Sequence, residues 1–119
     1  MTELTDKNYN KLIEGVDKII FIDFYSPTCG PCQQLTKILP SITSYAEEHG
    51  GVVYKVNTAE NPKISQKFMI RSVPMTCIID LDKNVKDVEV GLFDKGHYIS
   101  LLDKHLKKKQ GFFSKFFSF

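Results

Sequence analysis

The stretch FYSPTCGPCQQL, residues 24–35, joins an apolar run to a helix-like run. The preceding IIFIDFY, residues 19–25, is almost continuously apolar, which is typical of a strand covered on both faces of a sheet. From Pro31 onward, apolar residues recur at helical spacing. Cys29 and Cys32 therefore lie where a buried strand passes into a helix.

Size and composition indicate one globular domain. The chain has 119 residues and a hydrophobic fraction of 42%, which suits a single core. It contains no apolar run of about 18 residues that could span a bilayer. Its polar start, MTELTDKNYNKL, lacks the apolar stretch of a signal peptide, so we expect a cytoplasmic location.

Charge is unevenly distributed, although the net formal charge is only +2. Five lysines and no acidic residues occur from residue 104 onward, whereas the rest carries eleven basic and fourteen acidic residues. A body of that composition has no basic face, so we expect no nucleic-acid partner. We divide the chain into a domain at residues 1–110 and an aromatic, basic tail at residues 111–119.

Helical and strand patterns alternate along the chain. They predict, in order, a short helix ending at Gly15, a strand at 19–25, a helix at 31–48, a strand at 52–57, a helix at 62–68, strands at 75–80 and 85–91, and a helix at 95–109. We expect an α/β fold in which a mixed sheet has helices on both faces. Its first three strands are predicted to be of the parallel type, and the last strand forms an antiparallel hairpin at the C-terminal end.

The position of the two cysteines favours redox chemistry. A helix N-terminus presents free N–H groups and partial positive charge, which stabilise the nucleophilic thiolate. Cys29 should be the exposed, reactive thiol and Cys32 the more buried, resolving one. Their spacing allows a Cys29–Cys32 disulfide without backbone movement.

Two other interpretations of the cysteine pair are weaker. A structural zinc site needs about four ligands, yet there is no second CxxC, and His49, His97 and His105 lack ligand spacing. We therefore predict no metal site. A purely structural disulfide would be unusual in the cytosol and would close almost no loop.

The sequence resembles the thioredoxin family over roughly residues 5–107. CGPC matches the active-site tetrapeptide of that family, FIDFYSPTCGPC its strand and active-site turn, and the segment ending in RSVPMTCII the approach to its cis-proline. The resemblance implies the thioredoxin fold and protein-disulfide reduction through Cys29 and Cys32, with Gly30 and Pro31 forming the turn between them. It implies no bound cofactor, disulfide-containing proteins as substrates, and a thioredoxin reductase as electron donor.

The resemblance also suggests a proton-transfer group. Asp23 stands alone in an apolar strand, so it is either solvated at an edge or buried with a raised pKa. The family pattern favours the buried form, in which the carboxylate helps to move the proton of the resolving thiol. Lys55 matches the lysine beside that acid, although a solvated strand lysine would look the same.

A substrate-facing rim follows from the same comparison. Pro74 matches the family's cis-proline, and the Val73 backbone would pair with an extended substrate segment. Gly91 matches a glycine on this rim. Met75, which follows the proline where Thr is common, is assigned to the same substrate-binding residues. Thr28 stands where the family usually has Trp, which removes a large apolar contact and leaves partner choice open.

A rival hypothesis of another class is a binding module that uses its cysteine face only to dock a partner. The missing Trp favours it, whereas the complete set of Cys29, Cys32, Asp23 and Pro74 argues for catalysis. The remaining cysteine, Cys77, is expected to be a plain buried residue, with a regulatory or dimerising role as the alternative.

The tail, residues 111–119, has no counterpart in the family. On a helix its five phenylalanines would share one side, opposite two serines and one lysine. Three roles of the tail remain as alternatives: packing on the domain or on another copy, weak binding to an anionic membrane surface, or docking in the groove of a partner.

Overall fold

The computed structural model describes the backbone of residues 1–117 and the side chains as far as Leu106. Within these residues the chain forms, in order, β1 (Thr2–Glu3), α1 (Tyr9–Glu14), β2 (Ile19–Tyr25), α2 (Gly30–Glu48), β3 (Gly51–Asn57), α3 (Pro62–Lys67), β4 (Met75–Ile79), β5 (Val85–Val90) and α4 (Lys95–Phe117). The alternation of helices and strands agrees with the sequence pattern. The short strand β1 was not predicted.

The strands form one mixed sheet in the order β1-β3-β2-β4-β5. β1 and β2 each pair parallel with β3, whereas β4 is antiparallel to β2 and β5 is antiparallel to β4. The prediction that β4 would belong to the parallel set is wrong in this detail, since β1 takes that place.

Helix length accounts for the direction of β4. α2 has 19 residues and is therefore about 28 Å long at 1.5 Å per residue, enough to return the chain to the start of the sheet. α3 has six residues and is only about 9 Å long, shorter than a seven-residue strand of about 23 Å. The chain thus re-enters the sheet near the end at which β3 leaves it.

Two cores lie on opposite faces of the sheet. The α2/α4 face is the one on which Ile19 and Phe21 pack against α2 and α4. The α1/α3 face is the one on which Ile20, Ile22 and Phe24 pack against residues of α1 and α3. Because both faces are covered, both side-chain sets of β2 are apolar, which explains its continuous apolar run.

Edge strand β5 holds α4 through charged groups. Asp87 accepts hydrogen bonds from Lys104 Nζ at 2.8 Å and from His105 Nε2 at 2.6 Å. These contacts fix the last described side chains of α4 beside the sheet.

α4 crosses the predicted domain boundary at residue 110, but the side chains of the tail lie outside the described residues, so its role stays a prediction. In the part of the chain that the structure describes, we find no helix of the length and apolarity that crossing a bilayer requires.

Candidate active site

The two cysteines occupy the start of α2, as predicted. Cys29 is the N-cap residue, with an extended backbone, and its Sγ accepts a hydrogen bond from the Cys32 N–H at 3.1 Å. The structure joins Cys29 and Cys32 in a disulfide, with Cα atoms 5.2 Å apart. Sulfur thus takes the position in which a capping oxygen usually satisfies a free helical N–H.

The surroundings make the two sulfurs unequal. Cys32 is 2% exposed, whereas Cys29 is partly exposed and is flanked by exposed Thr28 and Gly30. Pro31 fits the first helical turn because the N–H that it lacks would have no helical partner there. Once the disulfide is reduced, Cys29 is the accessible thiol, and the N–H of Cys32 together with the helix N-terminus favours its thiolate form.

The Val73–Pro74 peptide bond is cis, as predicted from the family resemblance. Met75 pairs with Phe24 on β2, so the preceding Pro74 lies at the edge of the sheet where β2 leads into the cysteine turn. Val73 is partly exposed at this edge, and its backbone is therefore on the same rim as the disulfide.

Gly91 is hydrogen-bonded to the loop that contains the cis-proline. Its N–H donates to the Pro74 carbonyl at 2.8 Å, and its φ of 100° lies in the left-handed region that favours glycine. An added Cβ would meet no atom of the described residues within 4 Å. The structure therefore explains this glycine by backbone conformation rather than by crowding.

Met75 does not lie on the rim surface. It is 6% exposed and packs on the α1/α3 face, because alternation along β4 directs it away from α2 and α4. The structure thus describes the Met75 side chain as part of the core, and the assignment of Met75 to the substrate-binding residues stays a prediction.

Asp23 is buried, which decides between the two interpretations of the sequence. Its side chain is 1% exposed, and Oδ1 has no hydrogen-bond partner among the described residues. Burial is the main cause that raises the pKa of Asp23 to about 7. The positive charge of Lys55 lowers this pKa, and the negative charge of Glu3 raises it by a smaller amount. A carboxyl group with that pKa can both accept and release a proton near neutral pH.

Lys55 lies directly opposite Asp23 in the β2–β3 register. Its ammonium group forms an ion pair with Glu3 at 3.7 Å and lies 5.6 Å from the ring centroid of Tyr25. Lys55 is therefore both the predicted neighbour of the acid and a partly solvated surface lysine.

Two residues near Asp23 were missed by sequence reasoning. Glu3 lies beside Lys55 because β1 pairs with β3, and a two-residue strand gives no periodic signal. Thr76 is the β4 partner of Asp23 and is 1% exposed, and within the described part of the chain its Oγ1 has no hydrogen-bond partner. A polar residue within the apolar run MTCII was the available signal for Thr76.

Cys77 is separate from this site. It is fully buried on the α1/α3 face, whereas Asp23 alternates with Phe21 and lies on the α2/α4 face. Burial raises the pKa of the Cys77 thiol to about 12, so it is protonated at neutral pH and unreactive. Among the described side chains, no three His, Cys, Asp or Glu residues come together as a metal site.

Comparison with known proteins agrees with this geometry. The sequence profile of the thioredoxin family matches residues 1–104. A thioredoxin of Chlorobaculum thiosulfatiphilum is 37% identical over 106 residues, covering 87% of this chain and 94% of the relative. Thioredoxin 1 of Nostoc sp. strain PCC 7120 is 34% identical over 104 residues, covering 87% and 95%.

A solved structure supports the fold independently. The crystal structure of a thioredoxin from Malassezia sympodialis superimposes with a TM-score of 0.76, covering 89% of this chain and 90% of that one at 24% identity. The predicted fold class is confirmed, with five strands in one mixed sheet and helices on both faces.

Proposed function

Because the chain belongs to the thioredoxin family and performs dithiol–disulfide exchange through its CGPC cysteines, we propose that Cys29 is the attacking thiol, Cys32 the resolving thiol and Asp23 the proton acceptor. The observation that carries this assignment is the unequal environment of the two sulfurs. Cys29 caps the exposed helix start, and Cys32 is buried.

The first step forms a mixed disulfide. The Cys29 thiolate attacks one sulfur of the substrate disulfide, a bond forms between Cys29 Sγ and that sulfur, and the substrate S–S bond breaks. The second substrate sulfur leaves as a thiolate and takes a proton from solvent. The helix N-terminus supports this step because its partial positive charge favours the thiolate form of Cys29.

The second step releases the reduced protein. Asp23 accepts the proton of Cys32, whose sulfur then attacks Cys29 Sγ and displaces the remaining substrate sulfur as a thiolate. Two electrons have passed from the enzyme dithiol to the substrate, and the enzyme is left with its Cys29–Cys32 disulfide. A buried carboxyl group with a pKa near 7 suits this task because both of its protonation states are populated at neutral pH.

Thioredoxins in general act on proteins with disulfides and are reduced by a thioredoxin reductase, and we propose both kinds of partner for this chain, with the cytoplasm as the place of action. An extended substrate segment would pair with the Val73 backbone beside Pro74 and Gly91. Thr28 leaves this rim without the large aromatic side chain usual in the family, so we expect substrates that contribute their own apolar contacts here.

Insulin reduction with dithiothreitol as the electron source tests this assignment. The unmodified protein and the control variant Cys77→Val should accelerate precipitation of the insulin B chain. Cys29→Ser should reduce the accelerated rate to the dithiothreitol background, because no mixed disulfide can form. A Cys29→Ser variant as active as the unmodified protein would refute the proposed mechanism.

A further inference from the structure

Among the side chains that the structure describes, two buried oxygens in the sheet interior lack hydrogen-bond partners, Asp23 Oδ1 and Thr76 Oγ1. Both side chains are 1% exposed. Buried polar groups in native proteins are nearly always paired, so an exception calls for a functional or structural reason. The two exceptions here are neighbours.

The sheet register brings the two side chains together. Asp23 and Thr76 are direct partners across the antiparallel β2–β4 pair, and directly opposed residues project from the same face with Cβ atoms about 4.5–5.5 Å apart. Met75 and Cys77, on either side of Thr76, pack on the α1/α3 face. Thr76 therefore projects toward the α2/α4 face, on which Asp23 lies.

The position of Thr76 is fixed from both sides of its strand. It pairs with Asp23 on β2 and with Glu89 on β5. Thr76 is thus held in a central strand between two neighbours, and its hydroxyl hydrogen is free to rotate toward an acceptor.

Several charged and titratable groups act on Asp23 or follow it in the sheet register. They are Lys55 on β3, Glu3 on β1, Tyr25 on β2 itself, Tyr98 on α4, and, beyond Thr76, Glu89 on β5 with its ion-pair partner His97. α2, which packs on the same face, contributes the buried thiol Cys32 at its start. The cation nearest in register, Lys55, is shared with Glu3 at 3.7 Å. The carboxylate of Asp23 is therefore only partly compensated by positive charge.

We propose that Thr76 is a positioning residue for the exchange reaction, and that its hydroxyl donates a hydrogen bond to the Asp23 carboxylate when that group is ionised. The inference rests on the proposed role of Asp23 as proton acceptor. A neutral donor at this place stabilises the charged form of a buried carboxyl group without adding a second buried charge.

The consequence concerns the pH range of the resolving step. Without the hydroxyl, the ionised form of Asp23 is less stable and a smaller fraction of the enzyme holds a proton acceptor at a given pH. The acid limb of the rate profile then moves to higher pH, whereas the rate at high pH is retained.

The test uses Thr76→Val, which keeps the shape of the side chain and removes the hydroxyl, and Thr76→Ser, which keeps the hydroxyl. Thr76→Ala gives a second loss of the hydroxyl should valine fail to fold. Thr43→Val is the matched control, because the Thr43 hydroxyl bonds to the Leu39 carbonyl within α2. The measurements are a carbon-13 NMR titration of the Asp23 carboxyl group and the pH dependence of kcat/KM for insulin reduction.

We expect Thr76→Val and Thr76→Ala to raise the pKa of Asp23 by about one pH unit, the effect of losing one hydrogen bond to a charged group. The acid limb of kcat/KM should move by the same amount. Thr76→Ser should restore both values, and Thr43→Val should change neither.

An Asp23 pKa that is unchanged or lower in Thr76→Val would overturn the inference, whatever the activity. So would a raised pKa in Thr76→Ser equal to that in Thr76→Val, because a packing effect alone would then explain it. Failure of the proposed function has a different signature, in which Asp23→Asn keeps the activity and pH profile of the unmodified enzyme.

Discussion

Replacement of Asp23 by asparagine should stabilise the protein at neutral and alkaline pH and have little effect in acid. Asp23 is 1% exposed, and burial raises its pKa from 3.8 to about 7. Below the lower value, the carboxyl group is protonated in both the folded and the unfolded protein. Between the two values, the folded protein retains a proton that the unfolded chain releases, so stability falls as pH rises.

The size of the effect follows from the two pKa values. Each unit of difference corresponds to 1.36 kcal/mol, so a rise from 3.8 to about 7 gives about 4 kcal/mol of destabilisation above the folded-state pKa. The amide introduced by Asp23→Asn would carry no charge at any pH in this range, which removes that penalty. The stability advantage of Asp23→Asn should grow by about 2.7 kcal/mol between pH 5 and pH 9 and level off above pH 7.

Urea unfolding of the oxidised proteins across this pH range measures the difference directly. Asp17→Asn is the control, since Asp17 is an exposed aspartate before β2, and its curve should run parallel to that of the unmodified protein. Parallel curves for Asp23→Asn and the unmodified protein would show that Asp23 does not hold a proton in the folded state, and the argument for its raised pKa would fail.

Three further predictions concern other parts of the chain. Hydrogen bonds from Lys104 and His105 hold the pKa of Asp87 below its usual range, so Asp87→Asn should destabilise by about 1 kcal/mol at neutral pH. That loss should vanish as pH falls through the lowered pKa, and equal urea midpoints at pH 7 would contradict it. Cys77 should resist iodoacetamide until the oxidised protein unfolds, because it is buried with its pKa raised to about 12; rapid labelling of the native protein would count against this. A chain ending at Gln110 should reduce insulin at the full-length rate but lose binding to anionic vesicles or self-association, and unchanged cosedimentation and gel filtration would exclude both roles of the tail.

Local pattern was sufficient to predict most of the elements and the place of the cysteines. The continuous apolar run of β2 indicated a strand covered on both faces, and CGPC at its end indicated a helix start. The direction of β4 was not predictable in the same way, because it depends on how far α3 returns the chain along the sheet.

The neighbours of Asp23 could be identified only from the pairing register of four strands. Its partners Lys55 and Thr76 lie 32 and 53 positions later in the sequence, and Glu3 lies 20 positions earlier on a two-residue strand. Periodicity assigns a residue to a face but does not state which residue lies opposite. Thr76 and Glu3 were missed for that reason.

The assignment of Cys29 as the attacking thiol and Cys32 as the resolving thiol is tested most directly by trapping the mixed disulfide. Cys32→Ser and Cys29→Ser, each reduced and then freed of reductant, would be mixed with oxidised insulin and analysed by non-reducing peptide mass spectrometry. We predict that Cys32→Ser accumulates an insulin adduct on Cys29, because the attack occurs and its resolution is blocked, whereas Cys29→Ser forms none at the buried Cys32. An adduct on Cys32 in Cys29→Ser, formed as fast as that on Cys29 in Cys32→Ser, would contradict the account.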